Sequence, residues 1–147
     1  MKFLKLALVA LFVGSGTTLH TYAKSKVTPC YVFGFSASFA DSTVYFTDIQ
    51  KLDSTWLDTK TKFLLGREEY SLQLKQYFND MKKPNRTCIV MFATDKKKID
   101  KKYKKLKETY TVKAKGGYDV HYLNHGDFTF QPVYMGIEEE EKSEGKE

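Results

Sequence analysis

From Tyr31 to Phe39 the chain alternates without a break. Tyr31, Phe33, Phe35, Ala37 and Phe39 fall on one parity, and Val32, Gly34, Ser36 and Ser38 on the other. Successive side chains of a strand point to opposite faces, so a period of two gathers the aromatic set on one side. The segment therefore reads as a strand, and a strand needs a sheet around it. Ala40-Asp41-Ser42 supplies turn chemistry. β-Branched and aromatic residues resume from Thr43 to Leu52, so the two runs predict a hairpin joined by a short loop.

The remaining elements follow from the same reasoning. The stretch 53–65 holds the single tryptophan, Trp56, and is either a loop or a short extra strand. Gly66 then breaks the chain. From Arg67 to Met81, apolar Tyr70, Leu74, Tyr77, Phe78 and Met81 recur at steps of three and four and predict a helix. Glu68 and Glu69 suit the positive end of its dipole, and Lys82-Lys83-Pro84 ends it. Thr87–Ala93, TCIVMFA, is continuously apolar and reads as a central strand covered on both faces. Thr94 or Asp95 can cap a second helix over Lys96–Tyr110, whose apolar stripe is Ile99, Tyr103, Leu106 and Tyr110. Gly116-Gly117 breaks it. Tyr118–Leu123 predicts a strand, 124–127 a turn, and Phe128–Tyr134 a last extended segment that Pro132 confines to an edge. The expected fold is α+β, a mixed four- to five-stranded sheet with two helices packed on one face. Its order is strand-strand-helix-strand-helix-strand.

The ends of the chain differ from its middle. Lys2 and Lys5 precede an apolar run, Leu6 to Val13, and Thr21-Tyr22-Ala23 offers a small residue for cleavage. This is the pattern of a signal peptide over 1–23, with a run too short to span a bilayer. Val27-Thr28-Pro29-Cys30 superficially resembles a lipobox. Proline before the cysteine and the distance from the apolar core argue against it. The expected product is an exported soluble chain, periplasmic or extracellular, with one domain over 24–136 and no membrane span. Residues 24–136 carry 20 Lys+Arg against 12 Asp+Glu, a net of +8. The tail 137–147 carries 2 Lys against 6 Glu, a net of −4, and reads as disordered.

The densest chemistry lies on the second helix. Eight lysines stand between Lys96 and Lys107, and Lys97, Lys98, Lys101, Lys104 and Lys105 are the candidates for binding a polyanion. Either they do so, or they form a solvated face, or the acidic tail folds back over them as an internal screen. Outside the cytoplasm the partner would be an anionic envelope glycan, lipid or protein; nucleic acid is not the expected one. Cys30 and Cys88 each begin an apolar run and form a candidate disulfide, or else two buried thiols. Ser42 and Ser54 sit in Asp-Ser-Thr triplets that suit O-glycosylation, and Asn85-Arg86-Thr87 fits the N-x-T pattern. No cofactor or metal is expected. His121 and His125 are not on a helix, and HExxH is absent. Ser36 and Ser38 in GFSAS lack the second glycine of a nucleophile elbow. Asp41, Asp48, Asp53 and Asp58 lack the spacing of a calcium loop and read as surface turn residues.

The segments 31–50, 62–70, 86–93, 115–123 and 128–133 resemble those of a group of small exported bacterial proteins without an assigned activity. The resemblance covers most of 31–134. It implies export and a single domain, and it carries no catalytic residues. The leading expectation is a non-enzymatic periplasmic or envelope binding module. The alternative is a small secreted hydrolase or glycan-processing enzyme, which needs converging carboxylates or His121 in a cleft. A third is a structural subunit that pairs through its edge strand.

Overall fold

The computed structural model describes residues 25–135. The expected signal peptide and the acidic tail therefore lie outside the described residues. The elements run β1 (Ser25–Ala37), β2 (Thr43–Thr47), β3 (Gln50–Asp58), α1 (Arg67–Asp80), β4 (Thr87–Ala93), α2 (Lys96–Tyr110) and β5 (Asp119–Leu123). They form a mixed α+β fold, as the residue pattern predicts.

The alternating segment lies in the middle of the sheet. Tyr31 and Val32 pair with β3 on one side and with β4 on the other. Phe35 and Ser36 pair with β2 and β4 in the same way. β2 and β3 thus succeed each other along one edge of β1, both antiparallel to it, as two halves of one hairpin arm. The interruption falls at Asp48-Ile49. There the Thr47 hydroxyl accepts the Gly34 N–H at 2.8 Å, replacing a ladder acceptor. A second irregularity sets Pro29 against Asp53 and Ser54, between the pairs Thr28↔Thr55 and Cys30↔Leu52. Proline donates nothing to a ladder, so a bulge opposite it loses no bond. The arm continues to Asp58, so 53–58 is strand and buries Trp56, and 59–65 is a turn that returns to one bridge between Leu57 and Leu64. β5 adds in parallel to β2, from Thr43↔Asp119 to Thr47↔Leu123.

The helices do not share a face. Tyr70, Leu74 and Phe78 of α1 pack with Cys30, Val32 and Val90. Ile99, Tyr103, Leu106 and Tyr110 of α2 pack with Phe33, Phe35 and Phe46 on the other side. The reason lies in the connections. β3, α1 and β4 make a parallel crossover in one direction over β1, and β4, α2 and β5 make one back in the opposite direction. Crossovers of one hand that travel in opposite directions must use opposite faces. The sheet is therefore sandwiched, and the one-face expectation is corrected.

This sandwich recasts the opening pattern as an alternation of size. Val32, Phe33, Gly34, Phe35 and Ser36 are all buried. The large rings fill the α2 side, where Phe33 meets Tyr103 edge-on at 5.0 Å. The small residues make room on the α1 side. A Cβ at Gly34 would stand 2.6 Å from Leu74 Cδ2 and 3.1 Å from Phe130 Cζ.

Two further expectations change. β4 was expected at the centre of the sheet, but it pairs with β1 alone. Its unbroken apolar sequence reports a helix on each face, not two neighbouring strands, and Ile89 stays exposed at the open edge. The segment after β5 is extended, yet it is not a sheet strand. It crosses the α1 side with Phe128 and Phe130 buried. Side chains pin it there: Gln50 bonds Phe128 and Phe130, Gln73 bonds Gln131 through both amide atoms, and Tyr70 Oη accepts the Val133 N–H at 3.0 Å. Among the described residues no helix is long and apolar enough to cross a membrane.

Candidate functional site: the lysine face of α2

α2 begins where Asp95 closes its first turn, its carboxylate accepting the Lys97 N–H at 2.8 Å. With about 100° per residue, Lys97, Lys98, Lys101, Lys104 and Lys105 fall within an arc of about 120°. The centre of that arc is about 170° from the mean direction of Ile99, Tyr103, Leu106 and Tyr110. Sheet burial of the apolar stripe therefore forces the five lysines straight outward. All five are exposed. The half-buried Glu108 lies one turn beyond Lys104, at the far end of the same face.

The other lysines of α2 have local work. Lys96 pairs with Asp100. Lys107 sits over the Tyr122 ring at 5.1 Å. Lys102 reaches around β4, donates to the Phe92 carbonyl at 2.8 Å and stands 5.3 Å from the Phe92 ring centre. No ion pair or side-chain hydrogen bond engages the Lys97, Lys98, Lys101, Lys104 and Lys105 ammoniums among the described residues. Like charges at spacings of three and four repel, and Lys97 and Lys98 also face the positive end of the helix dipole. The result is a band roughly 12 Å long (eight steps of about 1.5 Å) with no strong local neutralisation.

The remaining sequence candidates are not brought to this face. Cys30 and Cys88 are free thiols. Both point to the α1 side, but Cys88 is opposite Ser36, six residues along β1 from Cys30. That is about 20 Å at strand rise, against the roughly 5.5 Å between Cα atoms that a disulfide needs. The candidate disulfide is thus corrected to two separate thiols. Burial pushes both thiols up from their ordinary range; a backbone hydrogen bond at Ala93 partly offsets this at Cys30, and Ser36 and Arg86 do so at Cys88. Ser42 is exposed in the turn before β2, and Ser54 is exposed at the bulge in β3.

Asp41, Asp48, Asp58 and Ser36 are built into the fold, whereas Asp53 is exposed on β3. Asp41 accepts the Thr43 N–H, Asp48 the His125 N–H, and Asp58 the Lys60 and Thr61 N–H groups. Ser36 is buried and accepts from Arg86 Nε at 2.9 Å. His121 lies beside Asp119 at 2.7 Å on β5, with its ring against Tyr45, and His125 is in the following turn. Among the described residues no group of three His, Cys, Asp or Glu side chains is placed to hold a metal.

Sequence reasoning missed two features. Arg86 is buried, donates to the Thr43 carbonyl at 2.6 Å, and lies over Tyr45 and Phe78 at 4.8 and 5.4 Å. It staples α1, β1 and β2, and its only sequence signal was an arginine directly before an apolar strand. The second is a shallow groove of about 410 Å³ between α1 and the open edge of β4, with Leu72, Lys75, Cys88 and Ile89 in its walls. Arg67 closes one end, donating to the Val90 carbonyl at 3.0 Å and lying 5.6 Å from the Phe92 ring centre.

No protein family, curated protein or solved structure matches the chain.

Proposed function

We propose that this protein is an exported, non-enzymatic binding module that holds an acidic glycan of the cell envelope on the outer face of α2. One observation carries the reading: five exposed lysines, none with a close carboxylate partner among the described residues, share one arc of a helix whose opposite side is locked into the core. Because Ile99, Tyr103, Leu106 and Tyr110 are committed to the sheet, α2 has no apolar face to lay into a bilayer. The outer side of a helix is convex and suits a repeating charge rather than one enclosed ligand. A linear polyanion gains there by releasing counter-ions along its length. Signal cleavage near Ala23, expected from the sequence, would deliver the domain to where such glycans are found.

The test is binding to an immobilised acidic polysaccharide, with anionic lipid vesicles as the comparison surface. Charge reversal by K101E, K104E and K105E together should abolish retention on the polysaccharide. Unchanged retention in the triple variant would refute the assignment, and preference for vesicles would replace glycan with lipid.

A further inference from the structure

We infer that the chain carries its own competitor for the lysine face: the acidic tail, residues 137–147, docks on α2 and regulates access to it. The inference rests on the reading of that face as a polyanion site. The charges are complementary, with five lysines on the face and six glutamates against two lysines in the tail. Four of the glutamates, Glu138 to Glu141, are consecutive. As extended chain they span about 10 Å, close to the length of the lysine band.

The point of departure favours α2. Met135, the last described residue, packs at Gly66, where its Sδ would stand 2.8 Å from an added Cβ. The φ of 73° at Gly66 also favours glycine there. Arg67 follows, and its guanidinium lies over Phe92, the same ring that Lys102 approaches from α2. The route from Met135 to α2 therefore runs around the edge of β4 past two cations. Residues 136–141 cover about 20 Å when extended, enough to reach the Lys102 flank of the helix and then Lys98, Lys101 and Lys105. Glu68 and Glu69, in the first turn of α1 beside the departure point, repel the tail from the alternative surface. A short tether holds the glutamates at an effective concentration of roughly millimolar, so an external polyanion must displace them.

Two measurements on the full chain test this. Zero-length carbodiimide cross-linking at low salt, read by peptide mass spectrometry on the monomer, should join Glu138–Glu141 to Lys98, Lys101, Lys102 or Lys105. Cross-links only to Lys75, Lys82 or Lys83, only between two copies, or none at all would overturn the inference. The variant E138Q/E139Q/E140Q/E141Q should bind the acidic polysaccharide about tenfold more tightly than the native chain, the effect of a tail that leaves the face free about one-tenth of the time. Equal affinity would also overturn it. If the cross-links form but the neutralised chain binds no polyanion, the docking stands and the proposed function fails.

Discussion

Gln50 and Phe130 face each other across the α1 side of the core, and the Gln50 Oε1 accepts the Phe130 backbone N–H at 2.8 Å. The same amide donates through Nε2 to the Phe128 carbonyl at 2.9 Å. One side chain thus does for the last segment what a neighbouring strand would do. Both bonds are buried. Truncation by Q50A leaves two buried backbone groups without partners and should cost about 2–4 kcal/mol in chemical denaturation. Q73A breaks an exposed version of the same clamp and should cost about 1 kcal/mol or less. Equal losses at the two positions would show that the burial of the Gln50 pair is not what matters.

Gly34 makes a different prediction, because its lack of a side chain is what admits Leu74. G34A should destabilise the domain by about 1–3 kcal/mol, the cost of overpacking a filled core. Calorimetry or urea denaturation reads this directly. A neutral or stabilising effect would mean that Leu74 and Phe130 move aside freely.

These two sites show how far the sequence could be followed. Helix and strand positions were legible, because periods of two and of three to four residues report local geometry. The outward lysine face was legible for the same reason: it is the complement of the α2 apolar stripe. What stayed hidden depends on connections between elements. The Phe-Gly-Phe-Ser pattern looked like one buried and one lighter face, and only opposed crossovers show that both are covered. The apolar run Cys88–Ala93 could not distinguish a covered edge from a sheet centre. Nor could composition show that Lys102 caps the Phe92 carbonyl.

β4 presents an apolar edge that Arg67 and Lys102 cap at the Val90 and Phe92 carbonyls. Cations on an edge strand discourage pairing with another sheet. The double variant R67A/K102A should therefore associate at high concentration, seen by light scattering as a mass above that of the monomer. A variant that stays monomeric would show that the edge is closed by something else.

The alkaline limb of stability should be steep. Burial raises the titration of Cys30, Cys88, Tyr70, Tyr77 and Tyr103, each pushed up chiefly by desolvation. A raised acid holds its proton longer in the folded chain than in the unfolded one. Its contribution is complete below the unfolded value and is lost as pH climbs through the folded value. Tm should hold near neutral pH and fall above about pH 8.5, where unfolded thiols begin to ionise. A flat Tm from pH 8 to 11 would contradict this. Alkylation in denaturant without reductant should add two labels; labelling that needs reductant would contradict the separated thiols.

If the outer face of α2 is a polyanion site, its binding must depend on salt. Binding to an acidic polysaccharide is measured across a range of salt in the tail-neutralised full chain, with and without K101E/K104E/K105E. The expected log–log slope reflects about four to five charges and falls by at least about three in the triple variant, with binding lost at moderate salt. The same slope and the same affinity in both chains would contradict it.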